Sequence, residues 1–253
     1  MLEVKNVTMQ FGGLFALSDV DMSVKQGEIR GLIGPNGSGK TTLLNVITGF
    51  YIPTAGNVLL ENARISGKPI NTVSRCGLAR TFQNIALFSQ MTALENVVTA
   101  ACTQQTTNLL SAVFHTSGQK RQEKECYEKA YRLLEFVGLK NKADVKATNL
   151  PYGQQRLLEI ARAMATTPKV LLLDEPVAGM NEQESAEAAG LVKKLRETGI
   201  TIILIEHHMK FVMELCDSIT VLNSGKKIAE GTPAEIQKDK TVIECYLGKR
   251  KGD

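Results

Sequence analysis

The segment that most constrains this chain is Gly34-Pro35-Asn36-Gly37-Ser38-Gly39-Lys40-Thr41-Thr42. A glycine, four residues and then Gly-Lys-Thr is typical of a loop that binds phosphate through inward-turned backbone N–H groups. We expect a strand over Glu28–Ile33 before the loop and a helix over Gly39–Thr48 after it. The helix N-terminus adds a positive potential at the same place. The alternative is a glycine-rich turn that only caps a helix.

The residue types in this loop predict separate roles. The Lys40 ammonium is expected to neutralise the β- and γ-phosphates of a nucleotide, and the Thr41 hydroxyl to ligate Mg²⁺. The remaining residues complete the predicted phosphate-binding set: Gly34, Pro35, Asn36, Gly37, Ser38, Gly39 and Thr42.

A second segment, Val170-Leu171-Leu172-Leu173-Asp174-Glu175, places two carboxylates directly after an apolar strand. Ligands of parallel sheets bind at the carboxyl ends of the strands. Asp174 is therefore suited to the Mg²⁺ shell, and Glu175 to orienting or deprotonating an attacking water. Two acidic residues at the end of a strand are common in α/β proteins. This segment therefore indicates a phosphoryl-transfer site only in combination with the phosphate loop.

The order of patterns predicts an α/β fold. Short strand patterns fill the N-terminal region, strands and helices alternate in the last third, and residues 87–167 are mostly helical. Continuous apolar strands joined by helices imply a parallel sheet covered on both faces. We expect a single domain over residues 1–253, with a nucleotide-binding core and β subdomain at 1–86 and 168–253 and a helical subdomain at 87–167.

Composition excludes several classes of protein. The chain is 43% hydrophobic and 22% charged, with a net charge of +4 and basic residues interleaved with acids, so no basic patch for nucleic acid is evident. The five cysteines lack metal-binding spacing, which favours reduced thiols. Apolar runs are strand-sized and the N-terminus is unlike a signal peptide. These features favour a cytoplasmic chain.

Several motifs together resemble one family. The phosphate loop, the segment Arg80-Thr81-Phe82-Gln83, the helix start Leu150-Pro151-Tyr152-Gly153-Gln154-Gln155, the Asp174-Glu175 strand and Ile205-Glu206-His207 have the order and spacing of ATP-binding cassette (ABC) transporter ATPases. The resemblance extends over essentially the whole chain. It implies a phosphate-loop NTPase (RecA-like) parallel-sheet core with an N-terminal antiparallel β subdomain, an inserted α-helical subdomain, and ATP with Mg²⁺ as cofactors.

The resemblance also implies roles for further residues. Phe11 corresponds to an aromatic residue that stacks on adenine, although a strand-end core Phe is the alternative. Gln83 is expected to link Mg²⁺ and water to a membrane partner, and His207 to contact the γ-phosphate. Asn181 is expected to touch the opposite subunit of a head-to-tail dimer. The residues expected at that subunit's nucleotide are Pro151, Tyr152, Gly153 and Gln154.

Two departures from the general family pattern are informative. The common signature is Leu-Ser-Gly-Gly-Gln, and Pro151 stands where its serine would contact the partner's phosphate, so that hydroxyl contact is absent. Four features of the chain are similar to one branch of the family, the LivG-type ATPases of high-affinity branched-chain amino-acid importers. These features are the sequence Tyr152–Gln155, the turn that contains Asn181, the segment around Gln104–Gln119, and Tyr246-Leu247-Gly248.

This branch implies a transport ATPase at the inner face of the cell membrane. Its expected partners are integral-membrane permease subunits, a second ATP-binding subunit in a homo- or heterodimer, and indirectly a solute-binding protein, but no nucleic acid. The alternatives are a cassette for another solute or for lipopolysaccharide export, a non-transport ABC ATPase acting on DNA or ribosomes, and a small-molecule phosphotransferase.

Overall fold

The computed structural model describes residues 1–83, 85–103 and 117–247. Its strands are β1 (Leu2–Phe11), β2 (Leu14–Val24), β3 (Ile29–Ile33), β4 (Ala55–Leu60), β5 (Ala63–Arg64), β6 (Leu78–Arg80), β7 (Val170–Asp174), β8 (Thr201–Ile205), β9 (Ser218–Asn223) and β10 (Lys226–Gly231). Its helices are α1 (Lys40–Ile47), α2 (Ile70–Arg75), α3 (Ala93–Cys102), α4 (Ser117–Phe136), α5 (Tyr152–Ala165), α6 (Glu182–Glu197), α7 (Met209–Leu215), α8 (Pro233–Ile236) and α9 (Lys240–Leu247).

A six-stranded sheet in the order β10-β9-β3-β8-β7-β6 forms the centre of the predicted nucleotide-binding core. Its neighbours are parallel except for the antiparallel hairpin of β9 and β10. Every residue of β3, β7 and β8 is buried, because parallel strands are covered on both faces. The predicted parallel sheet is therefore present, and β9 and β10 form an antiparallel hairpin at its edge.

Register brings the strand ends that carry the motifs to one edge of this sheet. Asp174 at the end of β7 pairs with Ile205 at the end of β8, and Ile205 also pairs with Leu32 near the end of β3. The phosphate loop follows β3 directly, so the loop and the carboxylates leave the sheet from the same edge.

A four-stranded antiparallel sheet in the order β2-β1-β4-β5 forms the predicted N-terminal β subdomain. In β2 the buried residues Val20, Met22 and Val24 alternate with more exposed ones, as expected for a sheet with one covered face. These residues, Leu43 and Leu44 of α1, and Leu172 of β7 belong to one apolar core. The fold class predicted from the sequence is confirmed.

The chain divides into two compact units. The first comprises residues 1–80, 169–176 and 189–253, and the second comprises residues 81–168 and 177–188. The predicted domain boundaries at 87 and 167 remain a prediction. In the second unit, Cys126, Ala130 and Leu134 are spaced four residues apart and form a buried stripe on α4. Gly138, at φ 78°, follows that helix, since glycine readily adopts the left-handed conformation that is common just after helix C-termini.

The short elements were not predicted. β5, β6, α2, α8 and α9 have two to eight residues each and lie in segments without clear periodicity. Residues 104–116 of the segment predicted to extend the helical subdomain, and Gly248, lie outside the described residues. No helix in the described part of the chain is both long enough and apolar enough to cross a membrane.

The burial of the central strand β8 predicts which substitutions lower the stability of the fold. Ile203 of β8 is 0% exposed, so we expect Ile203→Ala to lower the free energy of unfolding by about 2–5 kcal/mol through lost burial and a cavity. The matched control is Ile52→Ala, since Ile52 is 70% exposed and its loss should cost less than about 0.5 kcal/mol. Urea unfolding followed by circular dichroism measures both, and equal losses would contradict the assigned core.

Candidate functional site

The phosphate loop has a backbone that only glycine tolerates at its first position. Gly34 has φ 153°, and a Cβ atom there would lie 2.1 Å from the Leu222 carbonyl oxygen of β9. Gly39, just before α1, has φ 104°. These conformations turn the chain sharply from the end of β3 into α1, as the glycine spacing predicts.

The first turn of α1 is suited to an anion. In this fully described helix, Gly39 provides no side-chain cap and the first turn holds no acidic residue. The first N–H groups of a helix have no partner within the helix, and the helix dipole adds a positive potential there. The loop therefore points donors and a positive potential toward one place.

Lys40 lies inside the loop rather than in solvent. Its side chain is buried, and Nζ donates to the carbonyl oxygens of Gly34 at 2.7 Å and Pro35 at 3.1 Å. Burial lowers the pKa of Lys40, while the nearby charges of Glu175 and Asp174 raise it. The loop, the lysine and the two carboxylates thus form one electrostatic site.

Ser38 contributes a buried hydroxyl to the same loop. Its N–H donates to Pro35 O at 3.2 Å, and its carbonyl accepts from Gly225 N at 3.0 Å. Among the described residues, no group hydrogen-bonds the buried Ser38 Oγ. Such a hydroxyl in a native fold calls for a water or ligand partner, which is consistent with bound phosphate.

Asp174 is held at the end of β7 by a residue that the sequence analysis did not select. Arg80 Nη2 donates to Asp174 Oδ2 at 2.7 Å, and Arg80 Nη1 donates to Asn45 Oδ1 of α1 at 2.7 Å. Both partners of the ion pair have side chains less than a tenth exposed. Arg80 lies in the Arg80–Gln83 segment, in which the family resemblance implies a role only for Gln83. Its position three residues before Gln83 is the sequence feature from which it could have been selected.

Glu175 and His207 lie together at the same edge. His207 Nε2 is 2.5 Å from Glu175 Oε1, and Glu175 N donates to Ile205 O at 2.9 Å. Glu175 has φ 51°, an uncommon value for a residue with a side chain. The neighbouring His208 is 3.4 Å from buried Glu206 through its Nδ1, and its side chain is 63% exposed.

Phe11 lies on the surface of the first unit, at the end of β1. It is 42% exposed, and its ring centroid is 5.3 Å from that of Tyr51 in an edge-to-face arrangement. The alternative of a strand-end core Phe is therefore wrong. The adenine-stacking role stays a prediction.

The second unit contains the other residues expected from the resemblance. Pro151 is the N-cap of α5, followed by half-exposed Tyr152 and buried Gly153. Asn181 N donates to Glu184 Oε2, and Glu184 N donates to Asn181 Oδ1, both at 2.9 Å. This reciprocal pair begins α6 in the manner of a capping box.

The remaining predicted site residues are distributed over both units, and their roles stay predictions. Gln154 is half-buried at the start of α5, and Gln83 is exposed in the second unit. Asn36, Gly37 and Thr41 are exposed in the phosphate loop, and Thr42 is half-buried. The first unit thus brings together Lys40, Asp174, Glu175 and His207, whereas Gln83, Asn181 and the Pro151–Gln154 segment belong to the second.

Comparison with models of protein families identifies the family to which this chain belongs. The family model described as ABC transporter matches residues 17–178. The chain belongs to the ABC transporter family. A second model, described as branched-chain amino acid ATP-binding cassette transporter, matches residues 226–251 of this ABC protein.

Individual relatives agree with the family. The chain is 47% identical over 249 residues to the high-affinity branched-chain amino acid transport ATP-binding protein BraF of Pseudomonas aeruginosa, covering 98% of both chains. It is 45% identical over 249 residues to the corresponding protein LivG of Escherichia coli, again covering 98% of both. The resemblance inferred from the motifs is confirmed.

Solved structures show the same fold. The chain matches the nucleotide-free crystal structure of an ATP-binding cassette from an ABC transporter with a TM-score of 0.86 at 36% identity. The match covers 98% of this chain and 99% of that one. A crystal structure of the ADP conformation of the ATP-binding cassette MJ1267 matches with the same TM-score, identity and coverage.

The environment of Lys40 predicts a loss of nucleotide affinity on substitution. We expect Lys40→Met to weaken ATP binding at least about tenfold, because hydrogen bonds to charged groups contribute about 1.5–3 kcal/mol each. Calorimetric titration with ATP measures the change. Lys194→Met, which removes an exposed lysine from α6, is the matched control and should bind like the wild type. Equal affinity in the two variants would contradict the role assigned to Lys40.

Proposed function

We propose that this ABC ATPase is the Mg²⁺-dependent motor subunit of a translocase that imports branched-chain amino acids through separate membrane subunits. The observation that carries the ATPase part is the grouping of Lys40, Asp174, Glu175 and His207 at one edge of the parallel sheet. The amino-acid part is supported by the C-terminal family match at residues 226–251 and by the names of the 45–47% identical relatives.

The geometry supports hydrolysis by an activated water. The loop N–H groups and Lys40 hold the phosphates, and they stabilise charge that develops on the γ-phosphoryl oxygens. Glu175 accepts a proton from the attacking water or orients it. His207 contacts Glu175 at 2.5 Å and is thereby positioned to reach the γ-phosphate from the same side.

The residues present fit a magnesium ion. Mg²⁺ prefers oxygen ligands and commonly combines one or two protein ligands with phosphate oxygens. Asp174 presents a carboxylate at the strand end beside Lys40, and Thr41 presents an exposed hydroxyl on the first turn of α1. Gln83 is the third proposed ligand. The ion would neutralise charge on the β- and γ-phosphates while Asp174 and Thr41 hold it.

The signature residues serve a second subunit in this proposal. Pro151, Tyr152, Gly153 and Gln154 at the start of α5, together with Asn181, face the nucleotide of an opposing ATP-binding subunit. Pro151 offers neither a hydroxyl nor an N–H, so the contact must come from the backbone of Gly153 and from the helix dipole. A dimeric structure of the cassette MJ0796 bound to ADP and Pi, 28% identical with a TM-score of 0.78, supports assembly in pairs.

The proposed partners follow from the family. Integral-membrane permease subunits bind the chain near Gln83 and the helical unit, a homologous or identical ATP-binding subunit completes the nucleotide sites, and a solute-binding protein acts indirectly. The chain is accordingly proposed to lie at the cytoplasmic face of the cell membrane. The names of the relatives favour amino acids over another solute or lipopolysaccharide.

Glu175 provides the direct test of the hydrolytic step. We expect Glu175→Gln to lower the rate of ATP hydrolysis by at least about a hundredfold, since general base catalysis contributes about 10²–10⁴-fold. ATP binding should persist and trap a dimer, which size-exclusion chromatography with ATP detects. The matched control is Glu187→Gln, an exposed position on α6. Wild-type hydrolysis by Glu175→Gln would show that the base is another group.

The substrate requires the assembled transporter. The chain is co-purified with its permease and second ATP-binding subunit and reconstituted in vesicles with the solute-binding protein. We expect ATP hydrolysis to rise when leucine, isoleucine or valine is added, because substrate delivery is coupled to closure of the nucleotide sites. Lysine at the same concentration is the control. Stimulation by lysine but not by leucine would contradict the proposed substrate class.

A further inference from the structure

Tyr152 makes contacts inside the second unit that its proposed place at a partner's nucleotide does not require. It is the first residue of α5 and is 45% exposed, so part of its side chain faces outward and part contacts the unit. The ring of Tyr152 contacts the Gly179 turn, and its hydroxyl is linked to the segment that carries Gln83.

The ring lies against the turn before α6. A Cβ atom placed on Gly179 would lie 3.4 Å from Tyr152 Cε1 and 3.8 Å from Cδ1. Gly179 has φ 75°, and this turn leads into the Asn181–Glu184 pair that begins α6. The ring therefore covers the turn that carries Asn181.

The hydroxyl of Tyr152 reaches the segment that carries Gln83 through one side chain. Arg156 Nη2 donates to Tyr152 Oη at 2.9 Å and also to the carbonyl oxygen of Gln83. Arg156 Nη1 donates to Phe82 O at 2.6 Å and to Glu159 Oε2 at 3.1 Å. Glu159 Oε1 in turn accepts from Ala86 N at 3.0 Å.

These bonds leave the guanidinium little freedom. Arg156 is 3% exposed, and its four Nη hydrogens have four acceptors: Tyr152 Oη, Gln83 O, Phe82 O and Glu159 Oε2. Removing the tyrosine hydroxyl leaves one buried, charged donor without its acceptor. The guanidinium must then shift or admit water, and either change loosens its hold on the Phe82 and Gln83 carbonyls.

We propose that Tyr152 is a positioning residue that couples the start of α5 and the Gly179 turn to the Gln83 segment through Arg156. The proposal rests on the proposed function, in which the start of α5 meets a nucleotide and Gln83 faces the membrane partner. A displacement of Tyr152 by ATP on the opposing subunit is passed by Arg156 to the backbone of Phe82 and Gln83. Tyr152 thereby relates nucleotide occupancy to the surface that binds the permease.

Hydrogen exchange on the full chain tests the link directly. Tyr152→Phe keeps the ring over Gly179 and removes only the hydroxyl. We expect amide exchange in the peptide Phe82–Phe88 to become at least about tenfold faster, as for loss of one hydrogen bond to a charged group. The matched control, Tyr131→Phe, removes a hydroxyl from a tyrosine of α4 that is 41% exposed and should leave that peptide unchanged.

Kinetics in the assembled transporter separate coupling from simple loss of structure. We expect Tyr152→Phe to lower kcat for permease-coupled ATP hydrolysis about fivefold with a smaller change in KM for ATP, because the substitution keeps the ring at the start of α5 and removes only the hydroxyl that contacts Arg156. A raised KM with unchanged kcat would overturn the proposal, because Tyr152 would then act in nucleotide binding alone. Identical exchange in Tyr152→Phe and Tyr131→Phe would also overturn it.

Failure of the proposed function has a different signature. A wild-type chain that neither hydrolyses ATP nor binds a permease would overturn the transporter assignment. The exchange comparison needs neither activity, so it still decides whether the Tyr152 hydroxyl holds the Gln83 segment.

Discussion

The site depends on the register of three buried parallel strands. Because β3, β7 and β8 are paired side by side, Leu32, Asp174 and Ile205 come to one edge of the sheet. The phosphate loop, the carboxylates and His207 each begin within a few residues of that edge. A shift of β7 by one residue would turn Asp174 and Glu175 to opposite faces from those they occupy, since side chains alternate along a strand.

Three ion pairs in the described part of the chain have both side chains buried, two in the first unit and one in the second. Arg30 pairs with Glu28 at the start of β3, Arg80 pairs with Asp174, and Arg156 pairs with Glu159, at N···O distances of 3.0, 2.7 and 3.1 Å. Buried pairs of this kind contribute little net stability, but loss of one partner leaves an uncompensated buried charge. The Arg80–Asp174 pair joins β6 to β7, whereas the other two pairs lie within one segment and fix the side chain of Arg30 or Arg156.

The sequence predicts the local parts of this structure well. The phosphate loop, the β7 strand with its two acids, and the amphipathic helices follow from spacing and periodicity over a few residues. The contacts that orient them do not follow in this way. Arg80 and Asp174 are 94 residues apart, and Arg156 and Phe82 are 74 residues apart. A pattern over a few neighbouring residues therefore cannot predict either hydrogen bond.

Other features were hidden for different physical reasons. β6 has three residues and α2 has six, which is too short for periodicity to distinguish them from loops. For Phe11 the sequence left a core position and a surface position open, because an aromatic residue at a strand end fits both. Its exposed fraction of 42% in the folded chain shows that it lies on the surface.

The backbone at Glu175 is strained at a position to which the proposed function assigns catalysis. Left-handed φ values cost a residue with a side chain about 1–3 kcal/mol, and glycine would adopt 51° freely. Sequence selection for stability alone would therefore drift toward glycine at this turn. An ancestral or consensus design that scores only thermal resistance would favour glycine there, and under the proposed function the resulting chain would fold better while holding ATP unhydrolysed.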